Sequence, residues 1–339
     1  SPHSVDVWSL RARALHALRR DHEALQACER ALSMDPQSAE LVQQKSQILA
    51  GLGRTEEALG VIEGGLKIHP RETGLLLQKA RILLRSGRMQ DALAAVDSAL
   101  SISPGDPRAW EELALVFRAM GEHAEEAAAW ERASALSPHN VGYLVSWGDA
   151  LRAAGDIGGA VRVHLRAAKE SPEDTGALKA LGKSLYKVGK FGDAARVFRV
   201  VTGKAPGDGE AWKCLGWACL KDGSAEEARE ALGRAGTLLP EDKDVREGLS
   251  RLAESSSKPA GSVRGTDRGV GKTASVASGT PEKPEEKVER QDTAIRIATD
   301  SREDPHGKVL PGGFLKGGLQ AAPVPRGDVP RTRAGRNGP

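Results

Sequence analysis

Residues 175–206 read TGALKALGKSLYKVGKFGDAARVFRVVTGKAP, and this stretch decides the fold because its pattern returns along the chain every 34 residues. Prolines mark the interval most clearly, since seven of them stand on one 34-residue lattice. They are Pro36, Pro70, Pro104, Pro138, Pro172, Pro206 and Pro240. Self-similarity at a fixed period of this length indicates a repeat architecture.

Each interval also carries a turn position and two small-residue positions. Seventeen residues before the lattice proline stands glycine, with Arg19 as the single exception. Twelve residues before it stands alanine, except at Glu126, and five before it stands a small residue or Val201. Glycine permits the backbone that ends a helix, small residues let helices approach closely, and proline cannot continue a helix. Each interval is therefore predicted to form helix, glycine turn, helix, proline turn.

Glu126 breaks the small-residue pattern of the fourth interval. An unpaired carboxylate is costly to bury where two helices normally touch. We therefore expect Glu126 to reach solvent or a cation, or the helix angle to shift locally at this repeat.

The order of these positions resembles the tetratricopeptide repeat (TPR) family, whose pattern is W-x2-L-G-x2-Y, then A-x3-F, then P. The seventh interval carries it in Trp212, Leu215, Gly216, Ala228 and Pro240. The sixth interval carries it in Leu178, Leu181, Gly182, Leu185, Ala194, Phe198 and Pro206. The resemblance implies an all-α fold, a right-handed α-solenoid of seven tandem helix-turn-helix units. Such units stack because a single unit cannot cover its own apolar faces.

The lattice predicts seven repeats, a capping helix and a tail. The capping helix is predicted over 243–254, where Val245, Leu249 and Leu252 recur at helical spacing. From 255 to 339 the composition turns to Ser, Gly, Pro, Lys, Arg and Thr without periodicity, which predicts a disordered basic tail. The predicted repeats are 5–38, 39–72, 73–106, 107–140, 141–174, 175–208 and 209–242.

Bulk properties exclude several classes of protein. The net charge of +3 is too small to argue for a nucleic-acid partner by itself. The tail and groove are basic, which leaves nucleic acid as an alternative hypothesis, but the sequence has no recognisable nucleic-acid-binding module, so nucleic acid is not the expected partner. Three cysteines without zinc-ligand spacing favour a reduced, cytoplasmic compartment. No apolar stretch approaches the roughly 20 residues that span a membrane. No residue pattern indicates an active site, a metal site or a cofactor, so an enzyme is not expected.

One face of the first helix in each repeat is rich in cations. Positions 30, 27, 23, 20 and 19 before the proline share this face, which in the resembling family lines the inner groove where extended peptides bind. In repeats three to seven it holds ten cations against three acids. The candidate groove residues are Arg81, Arg85, Arg118, Arg152, Lys179, Lys183, Tyr186, Lys187, Lys213, Trp217 and Lys221.

The leading functional hypothesis is a non-enzymatic scaffold or adaptor that binds an acidic, extended partner peptide in this concave groove. Two alternatives stay open. Lysine and arginine can simply solubilise an exposed helical face. The chain, which begins Ser-Pro-His, can also be the regulatory or substrate-recruiting region of a larger enzyme, such as a glycosyltransferase, whose catalytic domain lies outside it. A further hypothesis is an intramolecular contact between the groove and the acidic tail segment 282–304.

Overall fold

The computed structural model describes residues 4–257, and within them the chain forms fifteen α-helices and no strand. This confirms the predicted all-α fold. The helices are α1 (Val5–Ala17), α2 (Asp21–Met34), α3 (Ala39–Gly51), α4 (Thr55–Ile68), α5 (Thr73–Arg85), α6 (Met89–Ile102), α7 (Pro107–Met120), α8 (His123–Leu136), α9 (Val141–Ala153), α10 (Ile157–Glu170), α11 (Thr175–Lys187), α12 (Phe191–Lys204), α13 (Gly209–Asp222), α14 (Ala225–Leu238) and α15 (Lys243–Ser257).

The first fourteen helices form seven hairpins, and each hairpin turns at the predicted position. Six of the turns hold a glycine with positive φ, from 77° at Gly53 to 91° at Gly155. The first turn holds Arg19 instead, the one non-glycine residue of the described chain with positive φ, at 61°. The turn geometry is therefore the same in all seven hairpins, whichever residue occupies it.

Helix ends follow from local chemistry. The first helix of each hairpin begins after a side chain that accepts a backbone N–H, as Asp208 does from Ala211. The second helix ends two residues before the lattice proline, as α12 does at Lys204, and the next residue, Ala205, has already left the helical region with φ −128° and ψ 73°. Proline disfavours helical backbone in the residue before it, so the lattice prolines set these ends.

The core lies between the two helices of each hairpin and between neighbouring hairpins. His164 shows how tightly it is packed, since this side chain is fully buried on α10. Its Nδ1 lies 2.9 Å from the hydroxyl oxygen of Ser184 on α11, and its Nε2 lies 3.2 Å from the carbonyl oxygen of Val145 on α9. A Cβ atom at position 148 would lie 2.3 Å from the imidazole, so only glycine fits at Gly148. His164 is therefore a structural residue that links three helices.

Glu126 is buried and reaches a cation, which is one of the expected outcomes. Arg118 Nε donates a 2.5 Å hydrogen bond to Glu126 Oε1, and His123 Nδ1 lies 3.1 Å from Glu126 Oε2. The fourth repeat therefore accommodates its carboxylate by charge pairing.

The last helix closes the stack at its carboxyl-terminal end. Val245 and Leu252 of α15 are both buried. The helix continues to Ser257, past the predicted boundary at Glu254. The first three residues of the predicted disordered tail, 255–257, therefore belong to the helix because α15 runs on past the last buried turn, and the remainder, 258–339, lies outside the described part of the chain. No helix within residues 4–257 is long and apolar enough to cross a membrane.

Candidate peptide-binding groove

The predicted groove residues lie on the first helices of five successive hairpins, α5, α7, α9, α11 and α13. Helices α9 and α11, α11 and α13, and α13 and α15 contact each other in turn. We call the surface that these helices share the groove face. Because a first helix recurs every 34 residues, side chains at one repeat position form a row along this face.

A cavity of about 560 Å³ opens on the groove face between α9 and α15. Six predicted residues line it together: Arg152, Lys183, Tyr186, Lys187, Lys213 and Trp217. Its volume lies within the range of roughly 300 to 1,000 Å³ that is usual for ligand pockets. The other predicted residues, which do not line this cavity, are Arg81, Arg85, Arg118, Lys179 and Lys221.

Lys213 is the most heavily paired cation of the cavity. Its Nζ lies 2.8 Å from Glu210, 2.9 Å from Asp242 and 3.8 Å from Asp244. Burial alone would lower its pKa, but the hydrogen bonds to Glu210 and Asp242 outweigh burial and raise the pKa. Lys213 is thus held by the protein's own carboxylates and contributes little free positive charge.

Lys179 repeats part of this arrangement one hairpin earlier. Lys179 Nζ lies 2.8 Å from Asp208, which also caps α13, just as Lys213 pairs with Asp242 before α15. Burial acts to raise the pKa of Asp208, but the hydrogen bond from Lys179 and those from the backbone lower it overall. Lys179 and Lys213, which share one repeat position, therefore each form an ion pair with the carboxylate that precedes the next first helix or the capping helix.

Two arginines of the groove face are paired with buried carboxylates. Arg81 hydrogen-bonds Glu112 across α5 and α7, and Arg118 hydrogen-bonds Glu126. Neither carboxylate belongs to the positions from which the sequence predicts the groove. The same holds for Asp208 and Asp242, so the excess of cations counted from the sequence overstates the free positive charge of this face.

Three predicted cations form no ion pair within residues 4–257. Arg85, Lys187 and Lys221 are exposed at the carboxyl-terminal ends of their helices. Arg152 is an intermediate case. Its Nη2 donates a 2.7 Å hydrogen bond to Asp149, whereas its Nη1 is buried and finds no hydrogen-bond partner in the described part of the chain.

Asp149 joins the groove face to the core. Burial acts to raise its pKa, but the hydrogen bond with His164 and the charge of Arg152 lower it overall. Asp149 is therefore ionised at neutral pH and holds Arg152 against the cavity wall.

Aromatic rings provide the apolar part of the cavity. Tyr186 packs edge-to-face on Phe191 with ring centroids 5.2 Å apart, and Phe198 is buried below. Arg251 of α15 lies over the Trp217 ring at 5.3 Å from its centroid. Trp217 and Tyr186 remain partly exposed, so apolar surface adjoins the lysines.

The sequence did not identify several residues of the cavity. Phe198 lies on α12, the second helix of its hairpin, and Asp244 lies on the capping helix α15. Cys214 lies on α13, but at a repeat position outside those from which the groove was predicted. The aspartate before α15 recurs on the 34-residue lattice, as Asp208 and Asp242 show, and this recurrence could have signalled the carboxylates.

These features define an α-solenoid repeat protein with a groove face. Family models for the tetratricopeptide repeat match residues 1–39 and 179–242, and residues 49–116. Together the matches cover half of the 339 residues. The chain belongs to the tetratricopeptide repeat family.

One solved structure supports the fold, and two others show weaker similarity. The C-terminal part of a TPR repeat-containing protein from Cytophaga hutchinsonii superposes with a TM-score of 0.57 at 14% identity, covering 71% of this chain and 98% of that chain. A tetratricopeptide repeat protein from Parabacteroides merdae gives 0.49 at 15% identity, covering 74% and 98%. YrrB, described as a TPR protein with an unusual peptide-binding site, gives 0.49 at 21% identity, covering 56% and 97%. No curated protein sequence matches the chain.

Proposed function

We propose that this protein is a non-enzymatic scaffold that binds an extended peptide of a partner protein along the groove face. The observation that carries the proposal is the cavity between α9 and α15, where four cations and two aromatic rings predicted from the sequence meet. Apolar surface gives such a groove affinity, and charges beside it fix the register of the peptide.

Unpaired cations favour carboxylates in the ligand. Arg85, Lys187 and Lys221 have no carboxylate partner within residues 4–257, and a ligand carboxylate near them gains Coulomb energy without breaking an existing ion pair. Such charges also accelerate association at low salt. An acidic, extended peptide is therefore the ligand that we propose.

The chemistry of the thiols supports a binding role rather than catalysis. Burial raises the pKa of Cys28 and Cys214 to about 11 and that of Cys219 to about 12. Thiolates are the nucleophilic form of cysteine, so these side chains are poor nucleophiles at neutral pH. All three cysteines are free, which suits the reducing cytoplasm where we place the scaffold.

A peptide-binding experiment tests the proposal. Fluorescein-labelled extended peptides with only acidic, only uncharged or only basic side chains at the charged positions are titrated with the full chain, and the dissociation constants are obtained from fluorescence anisotropy at low and physiological salt. We expect the acidic set to bind most tightly and its advantage to shrink as salt rises. Equal affinity for the acidic and basic sets would contradict the proposed charge selection.

The tail supplies a competing ligand in this proposal. Segment 282–304 holds eight Asp and Glu residues against five Lys and Arg residues. We propose that its acidic side chains occupy the groove face transiently and are displaced by the partner peptide.

A further inference from the structure

Charge is divided unequally between the two ends of the cavity. At the end formed by α13 and α15, one ammonium group, Lys213, faces the carboxylates of Glu210, Asp242 and Asp244. Lys183 also pairs with Glu210, so three carboxylates face two ammonium groups and one negative charge is in excess at this end. Arg251, which lies over the Trp217 ring, is paired with Glu247 and does not change this balance. A second carboxylate from a ligand would meet repulsion here.

The opposite end, formed by α9 and α11, is basic. Lys187 is exposed and forms no ion pair in the described part of the chain. Lys183 lies 3.6 Å from Glu210 and has no shorter ion pair there. Arg152 shares its charge with Asp149, yet its buried Nη1 still lacks an acceptor. Because Lys183 is shared with Glu210, Lys187 and Arg152 face Asp149 with two positive charges against one, and this end attracts a ligand carboxylate.

Between the two ends lie the aromatic side chains. Tyr186 comes from α11 and Trp217 from α13, and both line the cavity while remaining partly exposed. The order along the cavity is therefore basic, aromatic, acidic. A ligand that matches it presents an anion, an apolar group and a cation in succession.

We propose, building on the proposed function, that this cavity selects a peptide whose alternate residues are acidic, apolar and basic, in preference to a uniformly acidic peptide. In an extended chain, residues i, i+2 and i+4 project from one side and are spaced about 7 Å apart. The acidic side chain pairs with Lys187 and Arg152, the apolar one packs on Tyr186 and Trp217, and the basic one pairs with Asp244 and Glu210. Repulsion between the carboxylates of the α15 end and a second ligand carboxylate lowers the affinity for a uniformly acidic peptide, and such unfavourable contacts contribute to binding specificity.

Four labelled peptides test this selection on the full chain. Their cores are Glu-Thr-Leu-Thr-Lys, the reversed Lys-Thr-Leu-Thr-Glu, the uniformly acidic Glu-Thr-Leu-Thr-Glu, and Glu-Thr-Ser-Thr-Lys without the apolar group. Both orders of mixed charge are needed because a peptide can lie in either direction along the groove. We expect the better mixed-charge peptide to bind about fivefold more tightly than the uniformly acidic one, the scale of one half-exposed ion pair. The serine peptide should bind more weakly than its leucine counterpart.

A pair of variants assigns the selection to the α15 end. Asp244→Asn removes a carboxylate that lines the cavity, so it should abolish the preference for mixed charge. Glu241→Gln changes a carboxylate that precedes the same helix and does not line the cavity, so it should leave the preference unchanged. If the uniformly acidic peptide binds as tightly as both mixed peptides, the inference is wrong while the proposed function stands. If none of the four peptides binds, both are wrong.

Discussion

Arg118 and Glu126 form a 2.5 Å hydrogen bond in which the carboxylate is 2% exposed and the guanidinium side chain 46% exposed. Glu126 occupies the position where the other hairpins hold a buried alanine, such as Ala92 or Ala160. The two partners are therefore unequal. Losing the arginine leaves a charge inside the protein, whereas losing the glutamate leaves a charge that water can reach.

We predict that Arg118→Ala lowers the free energy of unfolding by about 3 kcal/mol, the lower end of the range for breaking a buried pair, because His123 remains beside the carboxylate. Urea denaturation followed by circular dichroism measures this change. The double variant Arg118→Ala/Glu126→Ala is the control and should recover most of the loss. Equal destabilisation in the single and double variants would show that Arg118 acts through its own packing.

Glu126→Ala alone should stabilise the stack modestly. The substitution restores the small residue of this repeat position and leaves Arg118 half-exposed to solvent. The same denaturation measurement applies. A clear loss of stability would mean that the hairpin has adapted to the larger side chain and that alanine leaves a void.

Arg19 offers a second test of the repeat geometry. It adopts φ 61° at the turn where the other six hairpins have glycine. Left-handed backbone costs a residue with a Cβ atom roughly 1 kcal/mol, so Arg19→Gly should raise the free energy of unfolding by about that amount. Arg20→Gly is the matched control, because Arg20 has φ −91° and pairs with Glu23. An equal effect of both substitutions on stability would contradict the strain argument.

Repetition explains why so much of the fold could be predicted. Seven prolines on one lattice fix the helix ends, and even the exception at Arg19 adopts the geometry of its glycine equivalents. The site was harder to predict because charge pairing crosses from one helix to the next. The repeat positions from which the groove was predicted include Lys213 but not Asp242 and Asp244, the carboxylates that form ion pairs with it. The contribution of α15 to the cavity depends on packing at the end of the stack, where the repeat pattern stops.

Lys187 and Lys221 provide a matched pair for the binding site. They lie at the same position of successive repeats, and both are exposed, but only Lys187 lines the cavity. We predict that Lys187→Glu weakens binding of the best mixed-charge peptide about tenfold, since it replaces one attraction by a repulsion. Lys221→Glu should weaken it less than twofold. Fluorescence anisotropy gives both dissociation constants. Equal losses would indicate a diffuse field along the groove face rather than binding in the cavity.

Cys214 reports directly on occupancy of the cavity. It lines the cavity and is partly exposed, whereas Cys28 and Cys219 are fully buried. Burial raises its pKa to about 11, so its thiolate fraction, and with it the rate of alkylation by iodoacetamide, should rise about tenfold per pH unit between pH 7 and 9. Mass spectrometry of the native protein follows this rate. A saturating mixed-charge peptide should slow it, and Cys214→Ser should abolish the native labelling. A rate that levels off near pH 8 would contradict the raised pKa.

The tail segment also carries the alternation that the cavity is proposed to select. Glu286, Val288 and Arg290 are acidic, apolar and basic at positions i, i+2 and i+4. Asp244 of the cavity lies about 20 Å along α15 from the end of the helix at Ser257. A flexible chain of about 30 residues spans roughly 30 Å, so this segment can reach the cavity from the end of α15.

Removing the tail after Ser257 should therefore tighten peptide binding, because a tethered segment competes at an effective concentration near 1 mM. Affinity of the full and truncated chains for the mixed-charge peptide is compared at low and physiological salt. The difference in affinity between the two chains should shrink as salt rises, since screening over about 8 Å weakens the contact between charged segments.

Replacing Glu282, Glu285, Glu286 and Glu289 by Gln in the full chain is the control, and it should increase the affinity as much as the truncation does. Val288→Ser in the full chain separates the apolar contribution from the charge contribution. If Val288→Ser increases the affinity for the mixed-charge peptide less than the four Gln substitutions do, the acidic charges contribute more to the tail contact than the packing of Val288 does. Identical affinities of the full and truncated chains at low salt would contradict competition by the tail.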